Sequence, residues 1–123
     1  MAVQTVRPAT VSLAAGADVA AVLVFAAIGR SAHAEVLDAF GVLSTAAPFL
    51  LGLVIGWLVA RAWRAPLRLP VATAVWIGAT VIGLGLRAVF THRLPVTFVV
   101  VAAASLALLL LGWRVVTSRI TSS

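Results

Sequence analysis

Asp18 is the residue most able to do chemistry in this chain, because it stands alone as an acid within an uncharged stretch of 22 residues, 8–29. A carboxylate in that setting costs on the order of 3 kcal/mol in a bilayer, so it turns toward a polar partner or toward water. Held there it could carry a proton or a cation. It could equally be a structural group, hydrogen-bonded to a neighbouring helix or reaching to the interface. Thr80, at nearly the same depth in a later stretch, is the expected hydrogen-bond partner. Thr73, Trp76, Thr80, Gly83 and Arg87 follow a 3-4-3-4 spacing that puts them on one helical seam. Asp18, Val22, Phe25, Gly29 and His33 make a similar stripe, and packing the two together would hide their polar residues from lipid. Arg87 lies about 10 Å further along its helix than Thr80, so a direct pair with Asp18 would need a bent helix or an intervening water.

A second group gathers where the first apolar stretch ends: Arg30, His33, Glu35 and Asp38, with Arg87, His92 and Arg93 on the same side. Such a mouth could hold an anion or sense pH through histidine; the alternative is solvated loop charge and arginines reaching the interface. Arg30 and Arg87 both abut apolar runs and are expected to approach one another, with His33 completing a positive pocket. Two guanidinium groups at one depth repel, so Glu35, Asp38, helix-end carbonyls or a bound anion must lie between them. No third ligand joins His33 and Glu35 in a recognised metal spacing, and neither histidine is placed for haem, so no metal or cofactor is expected. Nucleotide loops, zinc-protease motifs, nucleophile elbows and acid pairs are missing from the sequence. The reading is not an enzyme.

The elements that must position these residues are plain. Residues 39–60, 69–86 and 94–113 carry no charge at all. At about 1.5 Å of rise per residue, each run and the first stretch approach the roughly 30 Å of a bilayer core. The sequence therefore predicts an all-α, polytopic membrane protein: a single domain over 1–123, a four-helix bundle with short loops and helices near 11–28, 42–60, 71–90 and 96–113. Pro48 falls inside the second helix, where it removes one backbone hydrogen bond. Arg7, the apolar run 19–28 and Ala32-His33-Ala34 imitate a secretory signal; Asp18 at the entrance of that run argues against cleavage.

Composition agrees: 63% of residues are hydrophobic, 10% are charged, and mean hydropathy is +1.20. The net charge of +6 comes from nine arginines at helix ends, where positive charge sets orientation, so nucleic acid is not an expected partner. The absence of cysteine excludes disulfides and thiolate chemistry. Arg7, Arg61, Arg64, Arg68, Arg114 and Arg119 fall on one side, and Arg30, Arg87 and Arg93 on the other. The positive-inside rule then places both termini in the cytoplasm of a bacterial or archaeal cell, with the chain in its plasma membrane. Trp57, Trp63, Trp76 and Trp113 all lie toward that same face.

Gly52, Gly56 and Ala60 recur every four residues, a ridge that lets backbones approach closely either inside the bundle or across a dimer. Gly56-Trp57 recurs as Gly112-Trp113, a faint repeat of one helical hairpin. DVAAVLVFAAIGRSAH (18–33), TAAPFL (45–50), Trp76 with Thr80, Gly83 and Arg87, FVVVA (98–102) and GWR (112–114) together resemble the family catalogued as domain of unknown function 3054. The resemblance covers about 15–115 and implies a small four-span membrane protein; it carries over no activity, ligand or site residue.

Two functions fit these residues. One is a small transporter or channel using Asp18 and an outer arginine and histidine mouth, with a homodimer needed to enclose a pathway. The other is a non-transporting structural or accessory subunit of a larger membrane complex. Keeping Asp18, Thr80 and Arg87 in lipid is costly, which inclines the sequence reading to transport.

Overall fold

A computed structural model describes residues 7–32, 38–93 and 95–121. It contains four helices: α1 Pro8–Ala32, α2 Ala39–Ala60, α3 Leu69–Thr91 and α4 Val96–Thr121. Each is long and apolar enough to cross a membrane, and the chain is a multi-pass membrane protein. All four outrun the spans read from sequence, because the helical hydrogen-bond ladder continues past the last apolar residue into the polar interface. The consequence at one end is large: Arg114, one residue beyond the span read from sequence, lies seven residues inside α4.

Local chemistry sets several boundaries. Asp38 is the N-cap of α2, its carboxylate accepting a 2.6 Å hydrogen bond from the Gly41 N–H, so this loop acid has a backbone role. Arg61 (φ 50°) and His92 (φ 56°) end α2 and α3 in the left-handed conformation that usually selects glycine. A 3-10 turn, Ala62–Arg64, then leads toward α3. Pro48 sits within α2 without ending it.

The helices pack as a ring in which α1 meets α2, α2 meets α3, α3 meets α4 and α4 returns to α1, so α1 and α3 are diagonal. The tightest seam is α2 on α3. A β-carbon on Gly52 would come within 2.8 Å of the Gly78 carbonyl, and one on Gly78 within 2.8 Å of the Gly56 Cα. Gly56 in turn faces the Val75 backbone at 3.1 Å. The glycine ridge of α2 is thus consumed inside the bundle. Above it, the ring of Phe49 rests on Gly83 and meets Phe25 edge-on, with centroids 5.0 Å apart. Leu53, Val22, Val75, Leu106 and Leu110 fill the interior, while Leu13, Ile28, Phe40, Leu58, Val81 and Leu108 point outward, as a lipid-facing surface requires.

Candidate functional site at Asp18

The buried faces of α1 and α4 each extend one step into a charge. On α4, Ala102, Leu106, Leu110 and Arg114 recur every four residues and all are buried; on α1, Ala14, Asp18 and Val22 do the same. Asp18 and Arg114 are both 0% exposed, and they meet as a two-pronged pair, Nη1 to Oδ1 at 2.7 Å and Nη2 to Oδ2 at 2.8 Å. Two indoles complete the carboxylate's surroundings. Trp113 Nε1 donates to Oδ1 and Trp57 Nε1 to Oδ2, each at 2.8 Å. Asp18 therefore accepts four hydrogen bonds, which is about the full capacity of an ionised carboxylate.

Arg114 is equally occupied. Its Nε donates to the Pro66 carbonyl at 2.7 Å and its Nη1 also donates to the Leu110 carbonyl at 2.8 Å. The guanidinium carbon lies 4.5 Å from the Trp113 ring centroid, over its face. One cluster thereby ties α1, α2, the connection before α3, and α4. A charge-assisted fork of this kind is the strong form of hydrogen bonding, and in a low-dielectric interior a satisfied network is worth much more than its parts suggest. No acceptor position on Asp18 is left open for a cation or a substrate.

The expected partner of Asp18, Thr80, is elsewhere. Thr80 is 7% exposed and its Oγ1 has no hydrogen-bond partner. The reason is topological: Thr80 is on α3, diagonal to α1, and the stripe on α1 packs against α2 and α4 instead. The seam on α3 likewise turns to its ring neighbours. Trp76 Nε1 donates to the Ala103 carbonyl of α4 at 3.0 Å, Gly83 carries Phe49 of α2, and Arg87 lies over Phe98 of α4 at 4.5 Å.

The expected Arg30–Arg87 pocket is redirected by the same geometry. Arg30 Nη1 donates to Thr45 Oγ1 of α2 at 3.1 Å, and a β-carbon on Gly41 would come within 2.5 Å of Arg30 Nη2 and 2.7 Å of Asp38 Oδ1. Arg30 thus turns toward α2 and its capping acid, and Arg87 toward α4. His92 is exposed and caps α3 through its backbone N–H to Ala88. His33 and Glu35 lie outside the described residues.

Sequence reasoning missed Trp57, Trp113 and Arg114 as site residues. The signals were present: the repeated Gly-Trp pair marks the two indoles, and the four-residue recurrence 102, 106, 110 points at 114. Grouping the tryptophans by the membrane face they lie toward concealed that the indoles of Trp57 and Trp113 donate within the bundle.

Comparison with known families decides the grouping. A model of a protein family described as "Protein of unknown function (DUF3054)" matches residues 15–117. The chain belongs to that family. The match runs from three residues before Asp18 to three residues after Arg114, so the whole cluster falls inside the family region. No curated protein and no solved structure matches the chain.

Proposed function

We propose that this member of the family is a non-transporting membrane subunit, a compact four-helix module held closed by its polar interior and built to sit beside lipid and protein in a larger membrane assembly. The observation that supports it is the saturation of Asp18 by Arg114, Trp57 and Trp113. A proton or cation carrier must release its cargo, and here release would break a buried fork and strand a guanidinium in the bundle. The transport reading thus loses the carboxylate on which it rested. The outward surface supports an accessory role, with α4 burying the smallest share of its span of the four helices.

Reconstituted into vesicles with an internal pH dye, the protein is expected to pass protons no faster than its Asp18→Asn variant under an imposed gradient and potential. A flux that disappears in Asp18→Asn would overturn the proposal. A photo-reactive side chain at Leu108, exposed on α4, should give discrete protein adducts in native membranes; adducts to lipid alone would count against an assembly role.

The orientation supported by charge keeps both termini cytoplasmic in a bacterial or archaeal plasma membrane, on a revised basis. Arg114 is neutralised by Asp18 and drops out of the count. Arg7, Arg61, Arg64, Arg68 and Arg119 remain on one side against Arg30, Arg87 and Arg93. Because the chain has no native cysteine, Arg64→Cys and His92→Cys, both at exposed positions, can be labelled singly. An impermeant maleimide added to intact cells should reach position 92 and spare position 64; the reverse pattern would invert the topology.

A further inference from the structure

Between the first half of α2 and the second half of α3 runs a groove of about 330 Å³, walled by Ala47, Pro48, Leu51, Leu86 and Phe90, with Arg87 at one end. On α2 its lining extends from Ser44 to Leu51, about 10 Å of helix. Arg87 stands four residues before the end of α3, about 6 Å along the axis, close enough to the end of the span for its long side chain to reach the headgroups. The groove therefore starts at headgroup level and runs inward along apolar wall.

Arg87 is the unusual member of that wall. It is half-buried, and one face of its guanidinium is stacked on Phe98, 4.5 Å from the ring centroid. Among the described residues no carboxylate pairs with it and no acceptor takes a hydrogen bond from its guanidinium. Contrast Arg114, whose charge is fully answered inside the bundle. A guanidinium within a span, with no carboxylate beside it among the described residues, needs an anion, and its planar edge suits a phosphate diester in two-pronged geometry. The α2 side adds an acceptor. Pro48 has no N–H to give the Ser44 carbonyl, so that carbonyl lacks its helical donor where both residues line the groove. The hydroxyls of Ser44 and Thr91 keep the same end polar.

We propose that this groove is a binding site for an anionic phospholipid of the leaflet in which α2 begins and α3 ends. The phosphodiester sits on Arg87, a headgroup hydroxyl faces the Ser44 carbonyl, and the upper acyl chain lies against Ala47, Leu51, Leu86 and Phe90. The site is independent of Asp18 and stands whether or not the bundle conducts anything.

Native mass spectrometry of the full chain in a neutral detergent tests it, with phosphatidylglycerol, phosphatidylcholine and inorganic phosphate as separate probes. Phosphatidylglycerol is expected to bind more tightly than phosphatidylcholine by about tenfold, because choline's fixed positive charge compensates its own phosphate and repels the Arg87 guanidinium, whereas glycerol leaves the phosphate's charge to Arg87. Arg87→Gln should erase that preference, and Arg87→Lys should keep part of it. Ala47→Trp, an exposed position on the opposite wall, should reduce binding of both lipids while leaving Arg87 in place, and it serves if Arg87→Gln does not fold. Equal binding of the two lipids, a preference that survives Arg87→Gln, or binding unaffected by Ala47→Trp would overturn the proposal. Inorganic phosphate competing as well as phosphatidylglycerol would also overturn it, since the site would then take a free anion rather than a lipid.

Discussion

Asp18→Ala destabilises the bundle by about 3–5 kcal/mol, the usual cost of leaving one partner of a buried ion pair behind. Arg114 would stay fully enclosed with two N–H groups facing a void, and the indoles of Trp57 and Trp113 would lose their acceptor. Arg114→Ala should cost as much, with the added loss of the anchor on the Pro66 carbonyl. The informative variant is the exchange Asp18→Arg with Arg114→Asp. It preserves charge and volume, yet it should not restore stability. An arginine at 18 would face two indole donors, and an aspartate at 114 would face the Pro66 and Leu110 carbonyls, so donors meet donors and acceptors meet acceptors. By contrast, Asp18→Leu with Arg114→Met should be milder than either single alanine, because no uncompensated charge remains. Equilibrium unfolding in detergent, followed by tryptophan fluorescence, reads all four. A swapped pair as stable as the native protein would show that charge attraction alone holds the cluster. A loss below about 1 kcal/mol for Asp18→Ala, the level of a surface ion pair, would show that the cluster is solvated.

Gly78→Val is expected to approach the same size of effect by another route. Overpacking a tight interface ordinarily costs about 1–3 kcal/mol, and here the atoms in the way cannot rotate aside. The first added carbon meets the Gly56 Cα at 2.8 Å, then the Gly52 carbonyl and the Gly56 nitrogen at 3.2 Å. All three are backbone, so α2 and α3 must separate along their seam. Gly85→Val is the control, since a β-carbon there meets nothing within 4 Å. Melting temperatures of the two variants should diverge clearly; equal values would mean that the α2–α3 seam is looser than its geometry.

The spans, their number and the fold class were legible in the order of residues, because hydrophobicity and helix length are properties of a segment by itself. Charge-free runs of sufficient length must become helices in lipid, where every backbone group has to be satisfied internally. The burial cost of Asp18 was equally visible, since an acid at that depth needs a partner whatever the fold. Its partner was not visible. Thr80 matched in depth, but depth is one coordinate of two; which helices are neighbours is the other, and a helical periodicity does not state it. The ring order, with α1 diagonal to α3, is set by how all four surfaces pack at once, above all by the glycine seam that locks α2 to α3. That closure carries Arg114 from 96 positions away to Asp18, brings Trp57 and Trp113 to its two oxygens, and leaves Arg87 stacked on Phe98 of α4 with its in-plane N–H groups unclaimed by any described residue.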